Sequence, residues 1–179
     1  MIVCAGNSET FSFATPMGVG LIEMSINLTR LCLFDKPDFL LFVGSAGSYG
    51  THQILDIVES KTAANIELAF LQKKAYTPLE NVVSTQTQQG KDVIVNSSNY
   101  ITTDAILAQK FVSMGIELEN MEFFAVLKVA QAFDIPAGGL FCVTNFCNES
   151  AHEDFLKHHE QAKRALHIHV NRRIGELTS

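Results

Sequence analysis

Three clusters in this chain combine residue types that could handle an anion, a proton or a developing charge. The first is Gly44-Ser45-Ala46-Gly47, directly after the apolar run Phe39 to Val43. Small residues beyond a buried strand let backbone N–H groups approach an anion or a polarised water, and ligands of open α/β sheets bind past strand carboxyl ends. The same spacing also describes a tight turn that holds nothing. The second cluster is Asn120-Met121-Glu122, opening a hydrophobic segment. A carboxylate at a helix N-terminus is stabilised by the dipole, and an acid in so apolar a stretch needs a partner. A helix-capping glutamate would look the same. The third is Thr144-Asn145, beyond the late apolar run from Ala137, where a plain turn asparagine is the competing reading.

Other reactive side chains carry less. Cys4, Cys32, Cys142 and Cys147 form no C-x-x-C pair, and the last two have the wrong spacing for a zinc knuckle. They read as buried free thiols of a reducing compartment. His152, His158, His159, His167 and His169 crowd the final helix. Surface and half-buried helix histidines account for them, and no metal is assigned. Net charge is −6 with no run of lysine and arginine, which argues against nucleic-acid and anionic-membrane partners. No signal peptide and no apolar string of membrane-spanning length is evident, so a cytoplasmic protein is expected.

These clusters need elements to position them. At 179 residues, 47% hydrophobic and 18% charged, the chain suits one globular domain spanning 1–179. Met1 to Ala5 and Phe11 to Thr15 read as short strands. Thr15-Pro16 supplies helix-start chemistry, and Leu21, Met24, Leu28 and Leu31 recur at helical spacing until Asp35-Lys36-Pro37-Asp38. Phe39 to Val43 reads as a strand covered on both faces, with Gly44 and Gly47 turning the chain. Ile54 to Glu59 is a strand, 61–91 is irregular, and Gln86 to Gly90 is an exposed loop. Asp92 to Asn96 is a strand and Thr103 to Met114 a helix. Met121 to Phe133 is a buried helix, Ala137 to Thr144 a strand, and Phe155, His159, Ala162, Leu166, Val170 and Ile174 mark one face of a long last helix. The alternation predicts a three-layer α/β fold with a central mixed sheet flanked by helices.

In this order the elements resemble a short member of the purine/uridine phosphorylase superfamily, closest to its methylthioadenosine/adenosylhomocysteine nucleosidase branch. The likeness runs from about Thr15 to the final helix. Met17-Gly18-Val19-Gly20 is similar to the glycine-containing turn before the family's first long helix. Pro37-Asp38 with Gly44-Ser45-Ala46-Gly47 resembles its "PD…GSAG" element, and Ser97-Ser98-Asn99-Tyr100-Ile101 its base-stacking segment. Met121-Glu122 resembles the ribose-holding pair, and Thr144-Asn145 stands where Ser-Asp is usual.

The resemblance implies cleavage of the N-glycosidic bond of a purine nucleoside through an oxocarbenium-like transition state, without a cofactor. Water or inorganic phosphate would be the nucleophile. Glu122 would hold the ribose hydroxyls and favour positive charge on the sugar, with Met121 beside it. Tyr100 would stack on the purine, the backbone near Ile101 would touch the base edge, and Asn145 would donate to N7. Ser45 with the Ala46 and Gly47 amides would cradle the nucleophile, and Glu9 would activate water. A homodimer or larger homo-oligomer is implied as well.

Three departures shape the expectation. An amide at 145 cannot protonate N7 as an acid can, but it can donate to N7 or to a 6-oxo group, so inosine- or guanosine-like substrates are expected over adenosine-like ones. Asn120 replaces a common glutamate and thins the ribose contacts. Phosphate lacks an arginine clamp, since Arg30, Arg164, Arg172 and Arg173 lie outside the matched elements. Hydrolysis is therefore the easier reaction. A catalytically silent homologue that binds a purine or a protein partner is the alternative, and a uridine-type phosphorylase a weaker one.

Overall fold

The computed structural model describes residues 1–85 and 92–178, with side chains through residue 174. The predicted loop at Gln86 to Gly90 lies outside the described residues.

The backbone follows the apolar periodicity closely. Strand β1 (Ile2–Cys4) and the two-residue β2 (Thr15–Pro16) precede helix α1 (Gly20–Asp35). Along α1, Met24, Leu28 and Cys32 repeat every fourth residue and are buried. Lys36 in the left-handed region (φ 43°) closes the helix before Pro37. Next come β3 (Leu40–Ser48), β4 (Ile57–Ser60), β5 (Thr62–Ala64), the one-turn α2 (Leu68–Leu71) and β6 (Val82–Ser84). The remainder is β7 (Ile94–Ser97), α3 (Ala105–Ser113), β8 (Ile116–Asn120), α4 (Phe123–Ala132), β9 (Ala137–Phe146) and α5 (Ala151–Thr178). Asp104 starts α3 by accepting from the Ile106 and Leu107 N–H groups.

The sheet is mixed. Central β3 pairs in parallel with β1 and with β9, and antiparallel with β8 at its far end. Beyond β8 the order runs β7, β5, β6, and β9 carries β4 antiparallel on its other edge. Alternate residues enter different layers. Phe42 and Phe141 pack with Met24, Leu28 and Leu127 under α1 and α4. Val43, Leu140 and Cys142 pack with Ala162, Leu166 and Val170 of α5 on the opposite face. The predicted central mixed sheet flanked by helices is what forms.

Several boundaries differ from expectation. Phe11 to Thr15 contributes only Thr15 to a strand, because residues 6–9 close a tight turn with reciprocal Gly6–Glu9 backbone bonds. Helix α1 begins at Gly20 rather than at Pro16: Gly18 and Gly20 have φ of 105° and 84°, outside the helical region. The 61–91 stretch contributes β5 and β6, and β8 was not anticipated.

The largest correction concerns Gly44-Ser45-Ala46-Gly47. It does not turn; it is the second half of nine-residue β3. Neither glycine has a positive φ. Both are required by close approach instead. A Cβ on Gly44 would lie 3.0 Å from the Glu9 carboxylate and from the Phe42 ring, and one on Gly47 would lie 3.0 Å from Asn145 Nδ2 and Cys147 Sγ. Likewise, Thr144-Asn145 is not a turn but part of β9. The β3–β9 register slips there, Ala46 facing Val143 and Gly47 facing Asn145, so that Thr144 is an extra residue. Such a bulge redirects the side chains that follow it.

Candidate functional site

The ends of β1, β3, β8 and β9 and the segment after β7 converge on one cavity of about 330 Å³. Its lining includes each residue to which the resemblance gives a role: Glu9, Ser45, Ala46, Gly47, Tyr100, Ile101, Met121, Glu122 and Asn145. Residues more than a hundred positions apart are thus brought to one pocket by strand pairing.

Glu9 enters from the tight turn after β1. Its Oε1 accepts from the Ser45 N–H at 3.1 Å and from the Ser45 hydroxyl. The bare Cα of Gly44 makes room for the other carboxylate oxygen. The two Ser45 donors therefore already hold a carboxylate.

Glu122 lies opposite, buried, at the N-cap position of α4. It does not cap that helix. The cap is Asn120, whose Oδ1 accepts from the Phe123 N–H at 3.1 Å. Glu122 Oε1 instead accepts from the Gly20 N–H at 2.9 Å, and Oε2 accepts from Asn120 Nδ2 at 3.1 Å and the Met121 N–H at 3.2 Å. Burial pushes its carboxyl up to about 7, helped by the nearby Glu9 charge and opposed by the Gly20 and Met121 donors. Asn120 is therefore a hub of the site's own hydrogen bonds. Its Oδ1 also accepts from the Ser97 hydroxyl at 2.8 Å, while Ser97 Oγ receives the Phe124 N–H. A second carboxylate here would face Glu122 at close range, whereas the amide donates to it.

Asn145 is fixed by the bulge. Its Oδ1 accepts from the Thr144 hydroxyl at 2.9 Å and its Nδ2 donates to the Phe146 carbonyl at 3.2 Å. An amide has two N–H bonds, so one remains for the cavity. Tyr100 and Ile101 are 80% and 54% exposed and form the mouth.

Glu119 escaped the reading of the sequence. This buried acid borders the same cavity, accepting from the Tyr49 hydroxyl at 2.8 Å and the Thr102 N–H at 2.9 Å. Burial raises its carboxyl above the usual range, against the pull of the Thr102, Tyr49 and Cys147 donors. It thereby ties the Tyr100–Thr102 segment to β8. Strand alternation in Ile116–Asn120 was the available signal, missed because β8 itself was missed. Burial also raises all four thiols, which are free. Among the described residues no group of three or more His, Cys, Asp or Glu is placed to hold a metal ion, and no helix is long and apolar enough to cross a membrane.

Comparison with known proteins gives the same picture. The fold is similar to that of a Helicobacter pylori 5'-methylthioadenosine/S-adenosylhomocysteine nucleosidase at 15% identity, with a TM-score of 0.81 over 98% of this chain and 97% of that one. It is similar to a Helicobacter pylori futalosine hydrolase at 15% identity and a TM-score of 0.82, over 98% and 96% of the two chains. A Streptococcus pneumoniae nucleosidase of the first type aligns at 13% identity and 0.73, over 92% and 93%. At such identities the likeness speaks for the fold alone. No curated protein matches. The family model of the phosphorylase superfamily matches residues 69–174, more than half of the sequence, including β7, Tyr100, Glu122 and Asn145. With that match added to the fold, the chain belongs to the phosphorylase superfamily, an enzyme family.

Proposed function

We propose that this protein cleaves the N-glycosidic bond of purine nucleosides, with water as the nucleophile and 6-oxopurines as the preferred bases. The observation that carries the reading is the Glu9 carboxylate seated on the Ser45 N–H and hydroxyl, in the same cavity as Glu122 and Asn145. Ser45, Ala46 and Gly47 are the cradle for a nucleophile. With an anion already there, phosphate meets like charge and occupied donors, whereas a water meets a base. Among the described residues the cavity lining offers no arginine to clamp a phosphate.

In this reading Tyr100 stacks on the purine at the mouth and the Ile101 backbone meets the base edge. The ribose hydroxyls lie on Glu122, beside Met121. As the C1'–N9 bond lengthens, the sugar gains positive charge, which an ionised Glu122 stabilises. The bonding electrons move to the purine, where the remaining Asn145 N–H supports N7 or a 6-oxo oxygen. The water oxygen bonds to C1' and its proton passes to Glu9. Asn145 already donates one N–H to Phe146 and keeps the other, which suits N7 or a 6-oxo oxygen, while it has no acid proton to give N7 of an adenine; inosine and guanosine are therefore favoured over adenosine.

The structural neighbours named for methylthioadenosine, adenosylhomocysteine and futalosine cleavage support a nucleosidase over a phosphorylase. The exposed stripe Ile22, Ile26, Leu33 and Phe34 along α1 supports a homo-oligomer, which a sizing experiment tests. A cytoplasmic location fits the buried free thiols. The function is tested by incubating the protein with inosine, guanosine, adenosine or methylthioadenosine, with and without phosphate, and measuring free base. Release that requires phosphate would establish phosphorolysis instead. No release from any substrate would favour the purine-binding, catalytically silent reading.

A further inference from the structure

His159 is a buried group beside the cavity that the reaction above leaves unused. It sits on the inner face of α5, its ring 4.7 Å from that of Phe155, which lines the cavity. The side chain is only 8% exposed. Its Nε2 is fully buried and makes no hydrogen bond. That nitrogen faces Glu9 Oε1 at 3.9 Å, beyond hydrogen-bond reach. A buried polar atom without a partner is unfavourable, and here a carboxylate oxygen stands one short step away.

The remaining charged neighbours are few. Nδ1 of the same ring faces Glu160 Oε1 at 3.7 Å, on a mostly exposed side chain. Glu122 lies near enough to feel the Glu9 charge, and so does the Cys4 thiol. The adjacent His158 is turned to the Thr144 carbonyl through Nδ1 at 3.0 Å and does not compete.

Resting on the nucleosidase reading, we infer that His159 is a positioning residue for Glu9: its Nε2–H receives the carboxylate when Glu9 releases Ser45 to the incoming water. In the resting arrangement Glu9 Oε1 uses both Ser45 donors. Those donors cannot hold the carboxylate and the nucleophile at once. A shift of about 1 Å toward His159 gives Glu9 a replacement donor at ordinary hydrogen-bond length. The carboxylate then stays oriented as a base, and the Ser45 N–H and O–H become free to orient water. No covalent bond is made or broken at His159, and the role requires the ring to carry a proton on Nε2, the nitrogen that faces Glu9.

Two variants and one spectroscopic measurement test this. His159→Phe keeps the packing on Phe155 and removes the donor, while His159→Gln places an amide N–H near the Nε2 position. For base release from inosine, His159→Phe is expected to lower kcat at least tenfold with KM within about twofold. His159→Gln is expected to recover to within about threefold of the parent. In 15N spectra, the His159 ring nitrogens should move between the parent protein and Glu9→Gln. Parental kcat in His159→Phe would overturn the inference. So would equal losses in both variants with a lowered Tm, or ring resonances unmoved by Glu9→Gln. If the parent releases no base from any nucleoside, the nucleosidase reading fails, and the ring resonances alone then decide the Glu9–His159 contact.

Discussion

Replacing Glu122 by Gln tests the electrostatics of the site without reference to any substrate. In the folded protein burial raises this carboxyl from an ordinary 4.5 to about 7. The folded state thus holds a proton at Glu122 over a range in which the unfolded chain has released it. Stability from that proton is complete below about pH 4.5 and is lost as pH rises through about 7. At about 1.4 kcal/mol per pH unit the full difference is about 3 kcal/mol. Gln cannot titrate, and whichever way its amide turns its Nε2 meets a donor, the Gly20 N–H on one side or Asn120 Nδ2 and the Met121 N–H on the other. The variant should therefore be less stable than the parent near pH 5, by about 1–2 kcal/mol for the lost acceptor. Near pH 8.5 the relation should move in favour of the variant by about 3 kcal/mol relative to that gap. Urea unfolding of both proteins at several pH values reads this directly, and other titrating groups cancel in the difference. Parallel stability curves across the range would refute the claim that Glu122 is forced to ionise in a buried site. Activity should run oppositely: in the parent, kcat/KM rises with pH through about 7 as the carboxylate forms, and in Glu122→Gln it falls by about 10²–10³-fold.

Three further substitutions read other parts of the cavity. Gly44→Ala places a methyl 3.0 Å from the Glu9 carboxylate and the Phe42 ring. It should cost about 1–3 kcal/mol in denaturant unfolding and displace Glu9, lowering kcat more than it changes KM. Tyr100→Ala removes an exposed ring, so Tm should hold within about 1 °C while KM for inosine rises up to about tenfold. Unchanged KM would remove Tyr100 from the base site. Asn145→Asp restores an acid able to accept from a 6-amino group and should shift the adenosine-to-inosine ratio of kcat/KM at least tenfold toward adenosine. An unchanged ratio would separate residue 145 from base choice.

Most of the layer order was legible because hydrophobic patterning alone identifies a buried strand at Phe39 to Val43, an amphipathic α1 and an α4 apolar but for Lys128 and Gln131. The site residues were legible as types: a lone acid in an apolar segment, small residues after a strand, an asparagine at another strand's end. Their local geometry was not. Gly44 and Gly47 read as turn glycines, since spacing does not distinguish a glycine chosen for φ from one chosen for a missing Cβ. The facing side chains Glu9 and Asn145 that require them lie 35 or more positions away. Similarly, the role of Asn120 depends on Ser97, Phe123 and Glu122 meeting at one point, a three-element contact that no window contains. Short β5, β6 and β8 escaped because few residues carry too little alternation to stand out.

Base release in buffer stripped of phosphate bears most directly on the central claim that Glu9 directs water to the sugar. With inosine as substrate, free hypoxanthine and ribose should form at the same rate with or without added phosphate, and Glu9→Gln should reduce that rate by about 10²-fold or more. Formation of ribose 1-phosphate with no release in phosphate-free buffer would contradict the account, as would a Glu9→Gln variant that hydrolyses inosine at the parental rate.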